Sequence, residues 1–135
     1  MLKDFTVIEI VKTIGPLTVI IEPSKLRFVK VVVEAMEYTP YVRYLVDNKG
    51  KRFAIQLCKE KDTQAVKFSK PIAEQGAKAV LYQNQELVDV IRGLMPEWDA
   101  EKKYSVTGVY SKSDKAVVFD LKDAEEYTRR INRYE

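Results

Sequence analysis

Val29, Val32, Val33 and Met36 recur at i, i+3, i+4, i+7, and Leu87, Val90, Ile91 and Leu94 repeat that spacing further along the chain. Each set predicts one apolar stripe of a short helix. The three valines Val31 to Val33 favour strand by propensity, but the spacing and the Glu34-Ala35-Met36-Glu37 stretch favour a helical turn or two, so a short helix is assigned. In the second stretch Ala79 to Tyr82 reads as a strand, Asn84 as an N-cap and Glu86 as a first-turn acid, with the helix running to about Leu94. A proline closes each helix, Pro40 in one case and Pro96 in the other.

Both helices are followed by two alternating strands around a polar turn. Val42, Tyr44 and Val46 answer Phe53, Ile55 and Leu57 across Asn48-Lys49-Gly50, whose residues tolerate positive φ. Tyr104, Val106 and Tyr110 answer Val117, Phe119 and Leu121 across Ser111-Lys112-Ser113-Asp114. The offset between matching positions is 58 residues in the helices (Val29 to Leu87) and 64 in the return strands (Phe53 to Val117). The pattern therefore predicts an α+β, mainly β fold: a tandem strand-helix-hairpin repeat forming a pseudo-twofold domain, which the resemblance given below implies is a swapped-hairpin-like barrel.

The remaining segments fit around this unit. Phe5 to Thr13 and Leu17 to Glu22 read as strands joined by a turn at Ile14-Gly15-Pro16. The predicted organisation is one domain: an N-terminal hairpin (1–24), a first unit (25–58), a linker (59–77), a second unit (78–121) and a C-terminal helix (122–135). The twenty residues from Lys59 to Lys78 are long for a structureless connection, so Val66 to Phe68 is expected to pair as a short strand. Asp123-Ala124-Glu125-Glu126 resembles a capping box, with Arg129, Arg130 and Arg133 towards the end of the last helix. That helix has only Tyr127, Ile131 and Tyr134 to pack, which suits light docking or assembly.

Composition narrows the chemistry. The 135 residues are 46% hydrophobic, enough for one core, and the apolar runs fall far short of the roughly 20 residues of a membrane span. With no basic leader before an apolar segment, the expectation is a cytoplasmic protein. There is no histidine and one cysteine, Cys58, so an intramolecular disulfide, a Ser-His-Asp or Cys-His pair and the usual zinc sites are out of reach. Cys58 is expected to be a small buried hydrophobe. The five glycines are isolated and form no phosphate-cradling loop, and the carboxylates Asp99, Glu101, Asp123, Glu125 and Glu126 sit in exposed contexts. No enzyme, metal or cofactor is expected.

The net charge of +3 is unevenly spread. Residues 1–70 carry 13 Lys or Arg against 8 Asp or Glu, and residues 71–135 carry 10 against 12. Between Lys49 and Lys70 seven cations face only Glu60 and Asp62. Such a patch attracts a polyanion, or simply keeps a turn and a linker solvated. Tyr38, Tyr41 and Tyr44 around Arg43 fit base stacking and cross-strand packing alike, and Trp98 reads as a plug between helix and hairpin.

The stretches Leu26 to Cys58 and Lys78 to Leu121, each a strand, a helix and a hairpin, resemble the AbrB-like and MraZ-like swapped-hairpin regulators of bacterial transcription. In that family two units interlock into one barrel that presents basic residues to DNA. The chain departs from it by having Tyr38-Thr39-Pro40 and Pro96-Glu97-Trp98 in place of a Leu-Gly turn, and by lacking the acidic-x-x-x-Arg signature. The resemblance implies a bacterial or prophage DNA-binding regulator. Lys25, Arg27, Lys30, Lys49, Lys51 and Arg52 are then the candidate phosphate contacts, setting affinity and register. The alternative is a protein-interaction or assembly module without nucleic-acid binding, and a homo-oligomer formed through the C-terminal helix or edge strands fits either reading.

Overall fold

The computed structural model describes residues 16–127. Nine strands and three short helices follow one another as β1 (Leu17–Ile21), β2 (Lys25–Phe28), α1 (Lys30–Ala35), β3 (Tyr41–Asp47), β4 (Arg52–Leu57), β5 (Val66–Lys67), α2 (Ile72–Gln75), β6 (Val80–Gln83), α3 (Gln85–Gly93), β7 (Tyr104–Ser111), β8 (Ala116–Asp120) and β9 (Glu125–Glu126). All strands join one antiparallel sheet in the order β5-β3-β4-β8-β7-β1-β2-β6, with β9 beside β7. The fold is thus mainly β with a few helices.

Alternation sets which face is buried. Val19 and Ile21, Leu26 and Phe28, Phe53 and Ile55, and Val117 and Phe119 all lie at or near full burial and turn to one side of the sheet. The sheet curls around them, with Phe119 stacked on Phe53 at 5.0 Å and tilted against Phe28 at 6.1 Å between ring centroids. Helix α1 adds Val32, Val33 and Met36 to this core, as its spacing predicts. It ends abruptly because Glu37 and Tyr38 both adopt left-handed backbone, at φ 58° and 53°, and the Tyr38 amide folds back on the Val33 carbonyl at 3.0 Å.

Helix α3 forms where expected, capped by the Asn84 side chain, which accepts from the Leu87 amide at 2.9 Å. Its buried stripe is rotated from the predicted one. Val88 and Ile91 are fully buried, with Leu94 and Met95 below them, while Val90 is 48% exposed. Counting from the N-caps, Val29 and Asn84, the residues matching Val32, Val33 and Met36 are Leu87, Val88 and Ile91. Val90 lies most of a right angle off that stripe and faces outward.

The two hairpins have the same register. Val46 faces Phe53 and Tyr110 faces Val117, and both hairpins close over four residues, beyond the pairs Asp47–Arg52 and Ser111–Ala116. The left-handed residue in each turn is the last one, Lys51 (φ 58°) and Lys115 (φ 52°), and not a residue of Asn48-Lys49-Gly50. Gly50 is required for another reason. Its amide donates to Asp47 Oδ1 at 3.0 Å, and a Cβ there would collide with the Asp47 carboxylate.

Two further expectations change. The 59–77 linker contains β5, as foreseen, but also the unforeseen helix α2. The capping-box stretch is not helical: Leu121–Asp123 is a single 3-10 turn begun by Asp120, whose carboxylate accepts from the Lys122 amide. Glu125–Glu126 then pair with Ser105 and Tyr104 as β9. Burial of Leu121 and pairing with β7 outweigh the local capping signal. The predicted strand Phe5 to Thr13 and the remainder of the predicted C-terminal helix lie outside the described residues.

The strands β5 and β6 end the sheet path and are not paired with each other. Aromatic rings bridge between the two ends: Tyr44 of β3 stacks on Tyr82 of β6 at 5.2 Å, and Phe68, next to β5, meets Phe28 edge-on at 5.4 Å. The segment 68–79 fills the rest of this seam. Its Gln75 is only 6% exposed. The Gln75 side-chain oxygen accepts from the Lys70 amide at 3.0 Å, and its nitrogen donates to the Lys78 carbonyl at 2.9 Å and towards Ala79 at 3.4 Å. One side-chain amide thereby ties the chain leaving β5 to the chain entering β6.

Candidate interaction surfaces

The six candidate phosphate contacts fall into two groups four strands apart on the sheet path. Lys25 and Arg27 lie on β2 and Lys30 opens α1, whereas Lys49, Lys51 and Arg52 belong to the β3–β4 turn. Three of the six already hold carboxylates. Arg27 Nε lies 3.4 Å from Glu22, Lys30 lies 3.7 Å from Glu34, and Arg52 grips Asp47 Oδ2 through Nε at 3.0 Å and Nη2 at 2.7 Å.

Arg27 matters to the fold as well. The Glu22 side chain is 9% exposed and is balanced by Arg27 and by Lys103 at 3.7 Å. A buried carboxylate left with one partner fewer is destabilising. Around the β3–β4 turn the cations Lys49, Lys51, Arg52 and Lys122 are interleaved with Asp47, Asp120 and Asp123. The Gly50 amide first, and Arg52 next, hold the Asp47 carboxyl below the usual carboxylate range; Lys122 does the same for Asp120. This end of the sheet is a charge mosaic.

Tyr44, Trp98 and Cys58 are packed into the fold. Burial pushes the Tyr44 phenol upward, and its Oη is the one buried side-chain polar atom among the described residues without a hydrogen-bond partner. Trp98 stacks on Tyr104 at 4.3 Å under the Arg92 guanidinium, which also donates to the Asp99 and Lys102 carbonyls and ties α3 to the loop below it. Cys58 is buried, and that burial raises its thiol pKa. Among the described residues no group of three or more His, Cys, Asp or Glu is placed to hold a metal, and no helix is long and apolar enough to cross a membrane.

A different surface stands out on the outer face of β3-β4-β8-β7. Leu45 faces Ala54, Ala54 faces Val118, and Val118 faces Val109, giving an unbroken apolar row across four strands. Its ends are open, Leu45 at 43% and Val109 at 71% exposed. On one side of the row lie Asp47, Arg52 and Asp120, paired strand to strand; on the other lie Arg43, Gln56, Ala116 and Ser111. Shallow grooves of about 290 Å³ and 350 Å³ flank Val118, the first lined by Leu45 and Ala54 and the second by Val109 and Thr107. This row is not among the residues the sequence pattern singles out. Its signal was the consecutive apolar runs Tyr44-Leu45-Val46 and Val117-Val118-Phe119, since a hairpin with one wet face alternates and one with two apolar faces does not.

Comparison of the chain with known protein families, with curated proteins and with solved structures found no match in any of the three.

Proposed function

We propose that this protein is a binding module, built from a doubled unit, that docks a protein partner on the outer face of β3-β4-β8-β7. The observation that carries the reading is the row Leu45, Ala54, Val118 and Val109, apolar and open where the outer side of a hairpin is ordinarily polar. Contiguous exposed apolar surface rimmed by polar residues is the usual mark of a docking site.

The doubled unit on this reading is β1-β2-α1-β3-β4 followed by β5-β6-α3-β7-β8. Support comes from the equal registers of the two hairpins and from the way first strands are exchanged. β1 pairs with β7, Val19 facing Val106, and β5 pairs with β3, Val66 facing Val42. Val42 and Val106 stand at the same remove from their turns. Such an exchange is the arrangement expected of a swapped-hairpin barrel, here within one chain. The units differ where the sheet ends, because β1 pairs directly with β2 while β5 and β6 are joined through Gln75.

Duplex DNA is the competing occupant, held by Lys25, Arg27, Lys30, Lys49, Lys51 and Arg52. Their division into two groups and the three ion pairs weigh against it, because a phosphate would have to displace a carboxylate at half of the positions. Site-specific photo-crosslinkers in cells, placed at Val109, at Leu45 and at the exposed control Lys61, test the docking reading. Protein adducts at Val109 and Leu45 but not at Lys61 are expected. No adduct at either row position, together with duplex binding that Lys49→Glu/Lys51→Glu abolishes, would overturn it in favour of DNA.

A further inference from the structure

We infer that the occupant of the outer face is a second copy of this chain, seated row on row. This rests on the docking reading above and names its partner. The row is flanked by an ordered sequence of charges. On β3, β4 and β8 the positions Asp47, Arg52 and Asp120 are 38%, 50% and 35% exposed at their side chains; Arg52 holds Asp47 and Lys122 holds Asp120 at 2.9 Å, so pairs with a second copy would add to these contacts.

Self-complementarity follows from that order. Turn a second copy end for end along the row, about an axis parallel to the strands, and lay the two outer faces together. Leu45 then meets the partner's Val109, and Ala54 meets the partner's Val118. In the flanking row Arg52 meets the partner's Asp120, and Asp120 meets the partner's Arg52. On the other flank Arg43 meets the partner's Ser111, and Gln56 meets the partner's Ala116. No like charges are brought together, and both copies make the same contacts, as a twofold interface requires. Two sheets stacked in this way pack face to face with their strands nearly aligned.

The size of the patch sets the strength. Four strands at about 4.8 Å spacing and three rows of outward side chains cover roughly 20 by 20 Å. That is below the ~800 Å² per partner of a standard stable interface, so weak association, reversible on dilution, is expected.

The experiment is sedimentation velocity on the purified full chain over a concentration series. A monomer–dimer equilibrium is expected, weakened about tenfold or more by Val109→Lys, which places a charge against the partner's Leu45 at the end of the apolar row. Arg52→Asp alone and Asp120→Arg alone should each weaken it, and the double variant Arg52→Asp/Asp120→Arg should restore it by re-forming both pairs across the twofold; because the two residues also face each other within one chain, dimerisation that merely follows the stability of each variant would count against the interface. Circular dichroism melts check that each variant is folded. A chain that stays monomeric throughout, or a double variant no better than the singles, would refute self-association. Adducts to another protein at Val109 in cells, with a monomeric purified chain, would refute this inference and leave the docking reading standing.

Discussion

Gln75→Met removes the side-chain amide that ties the chain leaving β5 to the chain entering β6, while nearly keeping its volume. Two well-formed bonds are lost, from the Lys70 amide at 3.0 Å and to the Lys78 carbonyl at 2.9 Å, and the third at 3.4 Å is weak. Each such bond contributes about 1 kcal/mol net, and a buried group left without a partner costs about 1–3 kcal/mol. Since Gln75 is 6% exposed, water does not replace it freely, and a loss of about 2–4 kcal/mol is expected. That is a large share of the ~5–15 kcal/mol of an ordinary domain. In a thermal melt it corresponds to a fall of roughly 8–16 °C. Hydrogen exchange locates the effect: the Lys70 amide should lose protection while the Val117 amide in the middle of the sheet loses it only through global unfolding. Gln75→Glu gives a second reading. A carboxylate there faces two carbonyls and is buried, so its folded pKa is raised above the unfolded value. Its protonated form, which can donate to Lys78, is favoured by folding. The variant should therefore gain stability as pH falls through that raised pKa towards the unfolded value of about 4.3, and lose it as pH rises. A melt of Gln75→Met within 2–3 °C of the parent would refute the argument that this amide closes the seam.

Gly108→Ala should destabilise by about 1–3 kcal/mol, measured by urea titration, because a Cβ would lie 2.8 Å from Phe119 ring carbons and from a Val117 methyl on the neighbouring strand. Ile91→Asp should unfold or aggregate the chain, since an unpaired carboxylate would enter the core, whereas Val90→Asp should change stability by no more than about 0.5 kcal/mol; equal melts for the two would refute the observed phase of α3. Asp47 is held below the usual carboxylate range by Gly50 and Arg52, so its contribution is present above its unfolded pKa and lost as pH falls through the folded one. Asp47→Asn should flatten the acid limb of the stability profile below about pH 4, and an unaltered profile would count against the Asp47–Gly50–Arg52 turn.

The hairpins were legible in the sequence because most of their inner positions are apolar at every second residue, Gly108 excepted, and their turns are polar. Helix α1 was legible for a related reason: its three buried residues are the apolar residues a helical period selects, even against three β-branched valines. The phase of α3 was misread because Leu87, Val88, Val90, Ile91 and Leu94 are all apolar, so two stripes compete and only the cap at Asn84 and the packing under Ile91 choose between them. The seam was illegible in another way. Helix α2 and Gln75 contribute through hydrogen bonds to main chain on either side, and such bonds leave no hydrophobic period behind. The six basic residues follow from the resemblance to a DNA-binding barrel and from their places along the chain, neither of which gives the strand order that separates β2 from β4.

On the doubled-unit reading, the same seam explains why the two halves share a pattern and so little identity. Tyr44 and Gly108 hold equivalent places, Tyr44 facing Ile55 and Gly108 facing Phe119. The large residue is on the outgoing strand in one half and on the return strand in the other, so each pair fills the interior from the opposite side. Tyr44 has a further task that Gly108 does not share, because its ring must reach Tyr82 across edges that no main-chain bonds join. Beside β7 the corresponding gap is closed by β1 and its pairing with β2, and a tyrosine at 108 would have no seam to span. The halves diverge in sequence where they are closed by different means, through main-chain pairing on one side and through Gln75 and stacked rings on the other.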